Sequence, residues 1–117
     1  MTVDSYFSLR EHDDVGMTVV EPLADLRDDV ADMLRPALMS AAAAGRHVVV
    51  DMRAVHTIEP GGLSLLVRAH REARQHGGML SLAAPSRFVL TVLHTMHLDG
   101  VFPILEDTLT GRPHPAG

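Results

Sequence analysis

The chain has 117 residues, no cysteine and no tryptophan, and its aromatic residues amount to only 3%. Without cysteine there are no disulfides, no thiol catalysis and no thiolate metal ligands. The shortage of rings and a net charge of −5 argue against a nucleic-acid partner. Such binders carry a basic balance, and single-strand binders add stacking platforms. There is no uncharged apolar run of about 18 residues, so no membrane span is expected. The opening residues, Met1-Thr2-Val3-Asp4-Ser5, lack the basic-then-apolar order of a signal peptide. A cytoplasmic location is the expectation these absences leave.

An apolar content of 46% is enough for one domain with a real core. Tyr6 to Glu11 and Met17 to Leu23 flank a turn-rich connector, His12 to Gly16, and together predict a β-hairpin. Pro22 closes the second strand, because it cannot donate to a ladder. Asp28 or Asp29 then suits a helix N-cap. Val30, Met33, Leu34, Ala37, Leu38 and Ala41 recur at helical spacing and mark one face. Pro36 falls inside this pattern and predicts a kink, or a short first segment with Pro36 starting a second. Gly45 closes the helix.

The β-branched run Val48-Val49-Val50-Asp51-Met52 predicts a buried central strand. His56-Thr57-Ile58-Glu59-Pro60-Gly61-Gly62-Leu63-Ser64 then turns the chain into a second helix. Its buried side is Leu63, Leu66, Val67, Ala69 and Ala73, and it ends at Gly77-Gly78. Met79 to Ala83 predicts another strand. Pro85-Ser86 opens a third helix with an inner stripe of Phe88 or Val89, Val92, Leu93 and Met96. Val101 to Leu105 predicts a last strand. Strands alternating with helices imply an α/β layer with parallel crossovers after the opening hairpin.

The order of strand, Glu59-Pro60-Gly61-Gly62-Leu63 loop, helix and Gly-Gly end resembles the STAS domains, the family of bacterial anti-sigma factor antagonists. In that family the loop usually reads Asp-Ser-Ser-Gly-Leu, and a partner kinase phosphorylates the first serine. Aligned without gaps, Glu59 replaces the aspartate, Pro60 the target serine and Gly61 the second serine, while Gly62 and Leu63 match. Asp25 and Leu26 resemble part of the family's Gly-Glu-Leu-Asp; Ala24 and Arg27 depart from it. Further likeness lies at Ala84-Pro85-Ser86 and His97-Leu98-Asp99-Gly100-Val101-Phe102.

The resemblance implies a mixed sheet with a parallel core, an opening hairpin and three to four helices over residues 5–109, followed by a flexible tail at 110–117. It implies a regulator that binds a kinase-type anti-sigma factor or a serine kinase, as monomer or homodimer. The contact surface would comprise Glu59, Pro60, Gly61, Gly62 and Ser64 with Arg68 and Arg71 of the next helix. Gly61 and Gly62 would let a partner approach the backbone. Pro60 has no hydroxyl, so the family's phosphosite is absent. Binding would then be constitutive, or the chain would serve as a scaffold in a larger STAS assembly.

From the residues alone, the same loop also reads as an ordinary strand-to-helix turn made of Pro and Gly. The hydroxyls of Thr57 and Ser64 are expected to satisfy local backbone rather than to take phosphate. Thr57 is expected at a strand end, out of easy reach of a kinase, and Ser64 in the first helical turn. Arg68 and Glu72 are spaced for an intrahelical pair.

Eight histidines raise the question of metal or acid–base chemistry. His94 and His97 are three apart, and His70 and His76 flank a helix end. No third ligand joins either pair at a recognisable spacing, and HExxH is absent. Asp51 and Glu59 lie at strand ends without an arranged nucleophile or base. Neither GxGxxG nor a Walker lysine is present. No metal, cofactor or catalytic step is therefore expected. The competing class is a small hydrolytic or ligand-binding α/β domain in which Asp51, Glu59 and a histidine converge on a pocket.

Overall fold

In the computed structural model, residues 2–3 and 6–106 are described. The expected tail at 110–117 lies outside them. Six strands form one sheet in chain order: β1 (Thr2–Val3), β2 (Phe7–His12), β3 (Met17–Pro22), β4 (His47–Asp51), β5 (Met79–Ala83) and β6 (Ile104–Leu105). β1, β2 and β3 pair antiparallel, and β3 through β6 pair parallel. The hairpin and parallel core are as expected. β1 was not foreseen: two residues carry no readable period.

Each parallel step is made by a helix: α1 (Asp28–Ala43), α2 (Pro60–Gln75) and α3 (Arg87–Thr95). All three contribute to one core with Val20, Val48, Val50, Leu80 and Leu82. These strand residues share one face, because side chains alternate along a strand. The alternate residues Val19, Val49 and Ala83 form a smaller cluster on the opposite face, with Met17 and Leu105 packed against it. Helices thus cover one side of the sheet only, among the described residues. That arrangement follows from strand order, since successive right-handed crossovers moving in one direction stack their helices together.

The structure departs from the sequence pattern at three places. α1 runs through Pro36 as one element, so Pro36 does not end a short first segment and start a second. Pro36 is exposed, so water can take the carbonyl it leaves unpaired, while Val30, Leu34 and Leu38 hold the buried face on both sides of it. The third helix buries Val89 and Leu93, whereas Phe88 and Met96 face outward. The last strand is confined to Ile104–Leu105, with Phe102 buried ahead of it. Ser86 does open α3, its hydroxyl accepting the Val89 N–H at 3.1 Å.

Candidate functional site

The β4–α2 loop is held against the segment that enters α1. Leu26 and Ile58 form an isolated parallel bridge. The Leu26 N–H donates to the Thr57 carbonyl at 3.1 Å, and the Glu59 N–H donates to the Leu26 carbonyl at 2.9 Å. Beside this ladder, the Asp25 carboxylate accepts the N–H groups of His56 at 2.8 Å and Thr57 at 3.3 Å. The His56 bond is the main reason the Asp25 carboxyl is held below its ordinary range. Asp25 therefore does a structural job, bracing the loop from beneath.

The bridge brings the N-termini of α1 and α2 side by side. A helix start leaves unpaired N–H groups and partial positive charge, so two together need compensation. Neither helix is capped by its own boundary residue: Arg27 and Glu59 make no cap bond to the helix each precedes. The capping is exchanged instead. The Glu59 carboxylate accepts the Asp28 N–H of α1 at 2.7 Å, and the Asp28 carboxylate accepts the Gly61 N–H of α2 at 2.7 Å. Asp28 is thus the first residue of α1 and caps the other helix, not its own as the sequence suggested. The reciprocal pair spans 31 and 33 residues, which no local pattern reveals.

Both loop glycines make close contacts within the molecule. A Cβ at Gly62 would lie 2.7 Å from the Leu26 carbonyl oxygen and 2.8 Å from the Leu26 Cβ. Gly62 is buried, so it serves contact inside the molecule and offers no backbone to a partner. A Cβ at Gly61 would lie 2.5 Å from the Asp28 Oδ1, the oxygen that caps α2. Gly61 too is committed inward.

What remains outside is a continuous surface. Glu59, Pro60, Ser64, Arg68 and Arg71 are exposed. Pro60, Ser64, Arg68 and Arg71 line an open trough of about 430 Å³ with Leu63, Val67, Met96 and Leu98. A smaller hollow of about 130 Å³ adjoins it, walled by Ile58, Glu59, Pro60, Leu63, Val92 and Met96. Met96, expected on the inner stripe of the third helix, contributes to this surface instead, because it follows the last turn of α3 and faces outward. The expected Arg68–Glu72 pair does not form. Glu72 lies near His76 instead, at 3.7 Å from its Nδ1. Thr57 is exposed and precedes the Ile58 bridge rather than ending a strand.

Asp51 and Glu59 are engaged separately. The Asp51 side chain is 1% exposed and accepts Arg53 Nε at 3.0 Å. Among the described residues no group of three acidic or imidazole side chains could hold a metal ion. The His94 Nδ1–H donates to the Asp99 carboxylate at 2.6 Å on the surface. The carboxylate holds the imidazole above its usual range, and His94 holds the Asp99 carboxyl below. No helix among the described residues is long and apolar enough to cross a membrane.

The family described as "STAS domain" matches residues 6–110. Among solved structures, a STAS-domain anti-sigma factor antagonist of Planctomyces limnophilus aligns with a TM-score of 0.79 at 22% identity, covering 89% of this chain and 92% of that one. An anti-sigma factor antagonist of Mycobacterium paratuberculosis aligns at 0.76 and 22% identity, covering 90% and 88%. The antagonist SpoIIAA of Bacillus, in its unphosphorylated form, aligns at 0.72 and 18% identity, covering 89% and 91%. These likenesses show the fold. No curated protein matches the chain significantly.

Proposed function

The chain belongs to the STAS domain family, and from that premise we propose that it is an anti-sigma factor antagonist-like regulator with its phosphorylation switch removed. It binds a kinase-type anti-sigma factor, or a related regulatory protein, through Glu59, Pro60 and Ser64 with Arg68 and Arg71. The observation that carries this reading is the exchange of caps between Asp28 and Glu59. A strand-to-helix turn of no further use needs only its own backbone bonds. Here two carboxylates and two glycines fix one outward shape for the loop. Such fixing lowers the ordering cost of a partner contact.

In a phosphorylatable loop the added phosphate meets the positive end of α2. Here the Asp28 carboxylate already sits on that end, and Pro60 at the first helical position has no hydroxyl. Docking is therefore constitutive. A scaffold within a larger STAS assembly would use the same surface. The separate engagement of Asp51 and Glu59 weighs against the hydrolase alternative.

The test is affinity capture from the source organism on immobilised wild-type chain and Pro60→Ser, with and without ATP. A kinase-type anti-sigma factor held by wild type in both conditions, and released from Pro60→Ser as the introduced hydroxyl takes up phosphate, is the expected result. Recovery of no regulatory protein by the wild-type chain would remove the reading.

A further inference from the structure

We propose that the trough between α2 and the end of α3 seats an acidic amphipathic helix from the protein partner. An apolar side chain of that helix enters between Leu63 and Met96, and its carboxylates meet Arg68 and Arg71. The proposal rests on the docking reading above and names the chemistry of what docks.

The floor is apolar. Leu63, Val67, Met96 and Leu98 line it, and Met96 is 56% exposed. Methionine is unbranched and polarizable, so it moulds to an incoming side chain. Phe88 lies two turns earlier on α3 and is 50% exposed, with the half-buried Val92 between them. Positions 88, 92 and 96 repeat every four residues and fall along one side of that helix. The apolar strip therefore extends beyond the trough itself.

Charge selects the occupant. Arg68 and Arg71 form the α2 side of the trough and are both exposed. Neither has an ion-pair partner among the described residues. Glu72, the nearest intrahelical candidate, is turned toward His76. Glu59 borders only the adjoining hollow, and its carboxylate bonds the Asp28 N–H. In a chain of net charge −5, two uncommitted guanidiniums beside an apolar floor attract carboxylates and repel a basic segment.

Geometry selects the secondary structure. The trough is walled by α2 and by the turn that follows α3, through Met96 and Leu98, so no strand edge runs along it. An extended peptide would leave its backbone groups without partners there, whereas a helix satisfies its own. From Leu63 to Arg71 the α2 axis rises roughly 12 Å, about two turns. The matching ligand presents apolar residues at i, i+3 or i+4, and i+7, with Asp or Glu flanking them.

The test uses fluorescence anisotropy on the full chain with two synthetic helical peptides of roughly 18 residues. One carries Leu at i, i+3, i+4 and i+7 with Glu on its flanks; the other has Lys in place of every Glu. The acidic peptide is expected to bind at about 50 mM salt and to weaken several-fold by about 300 mM, while the basic peptide does not bind. Arg68→Glu/Arg71→Glu is expected to lose about tenfold or more for the acidic peptide and to gain the basic one. Met96→Ser is expected to weaken the acidic peptide with its salt dependence unchanged. All three substituted positions are exposed, and thermal melts verify that the variants fold. Equal binding of the two peptides, binding of neither, or indifference to the arginine reversal overturns the proposal. No kinase enters this assay. Peptide binding without a kinase-type partner in the capture experiment would sink the antagonist reading alone, and the converse would sink the trough.

Discussion

Replacing Gly62 with alanine offers a sharp test of how the loop is built, because two effects of opposite sign compete. Alanine favours a helix over glycine by about 1 kcal/mol in an interior position, and by less in a first turn. Against this, the new methyl would stand 2.7 Å from the Leu26 carbonyl oxygen, 2.8 Å from the Leu26 Cβ and 3.2 Å from the Ile58 Cγ1. The first of these is backbone, tied by the Glu59 N–H at 2.9 Å, so it cannot swing aside. Overpacking of this kind costs about 1–3 kcal/mol. The net expectation is a loss of about 1–2 kcal/mol, or roughly 4 °C in Tm for each kcal/mol in a domain of this size.

Gly61→Ala is the control. Its methyl meets the Asp28 Oδ1 at 2.5 Å, the tip of an exposed side chain that can move away. The lost cap, about 1 kcal/mol, is then offset by helix propensity. Urea unfolding followed by circular dichroism, with unchanged m-values, measures both. Gly62→Ala at or above wild-type stability would refute the claim that Gly62 exists for contact with Leu26. A large loss in Gly61→Ala would show that the glycines had been assigned to the wrong roles.

Three further outcomes are expected. Glu59→Ala and Asp28→Ala each remove one cap across the helix pair, and each is expected to lower stability by about 0.5–2 kcal/mol in urea titrations; neutral effects in both would dismiss the reciprocal caps. Burial holds the His47 imidazole below its usual range, so between its unfolded and folded pKa values the unfolded chain binds the extra proton. Its contribution is therefore present above about pH 6.5 and lost as pH falls through the lowered folded value. His47→Gln is expected to lose less stability than wild type between pH 7.5 and 5.5, and an equal loss in both would contradict this. Mass spectrometry after incubation with the partner kinase is expected to find no phosphate on Thr57 or Ser64; stoichiometric modification of either would overturn the constitutive reading.

The order of strands and helices was legible because each rests on interactions between near neighbours in the chain. Val48 to Val50 announce a strand by branching at Cβ, Leu63, Leu66 and Ala73 announce a helix by spacing, and Pro60 fits a first helical turn by its fixed φ. The position of the loop, and its lack of an acceptor hydroxyl, follow from the sequence on the same local grounds. Other features needed the folded chain. The register that sets Leu26 beside Ile58 decides that Asp28 caps α2, that Glu59 caps α1 and that Gly62 must lack a side chain. The packing of α3 decides that Met96 faces the trough rather than the core. Periodicity tells which side of a helix is apolar, but what that side meets depends on residues some thirty positions away, and only tertiary structure brings those together.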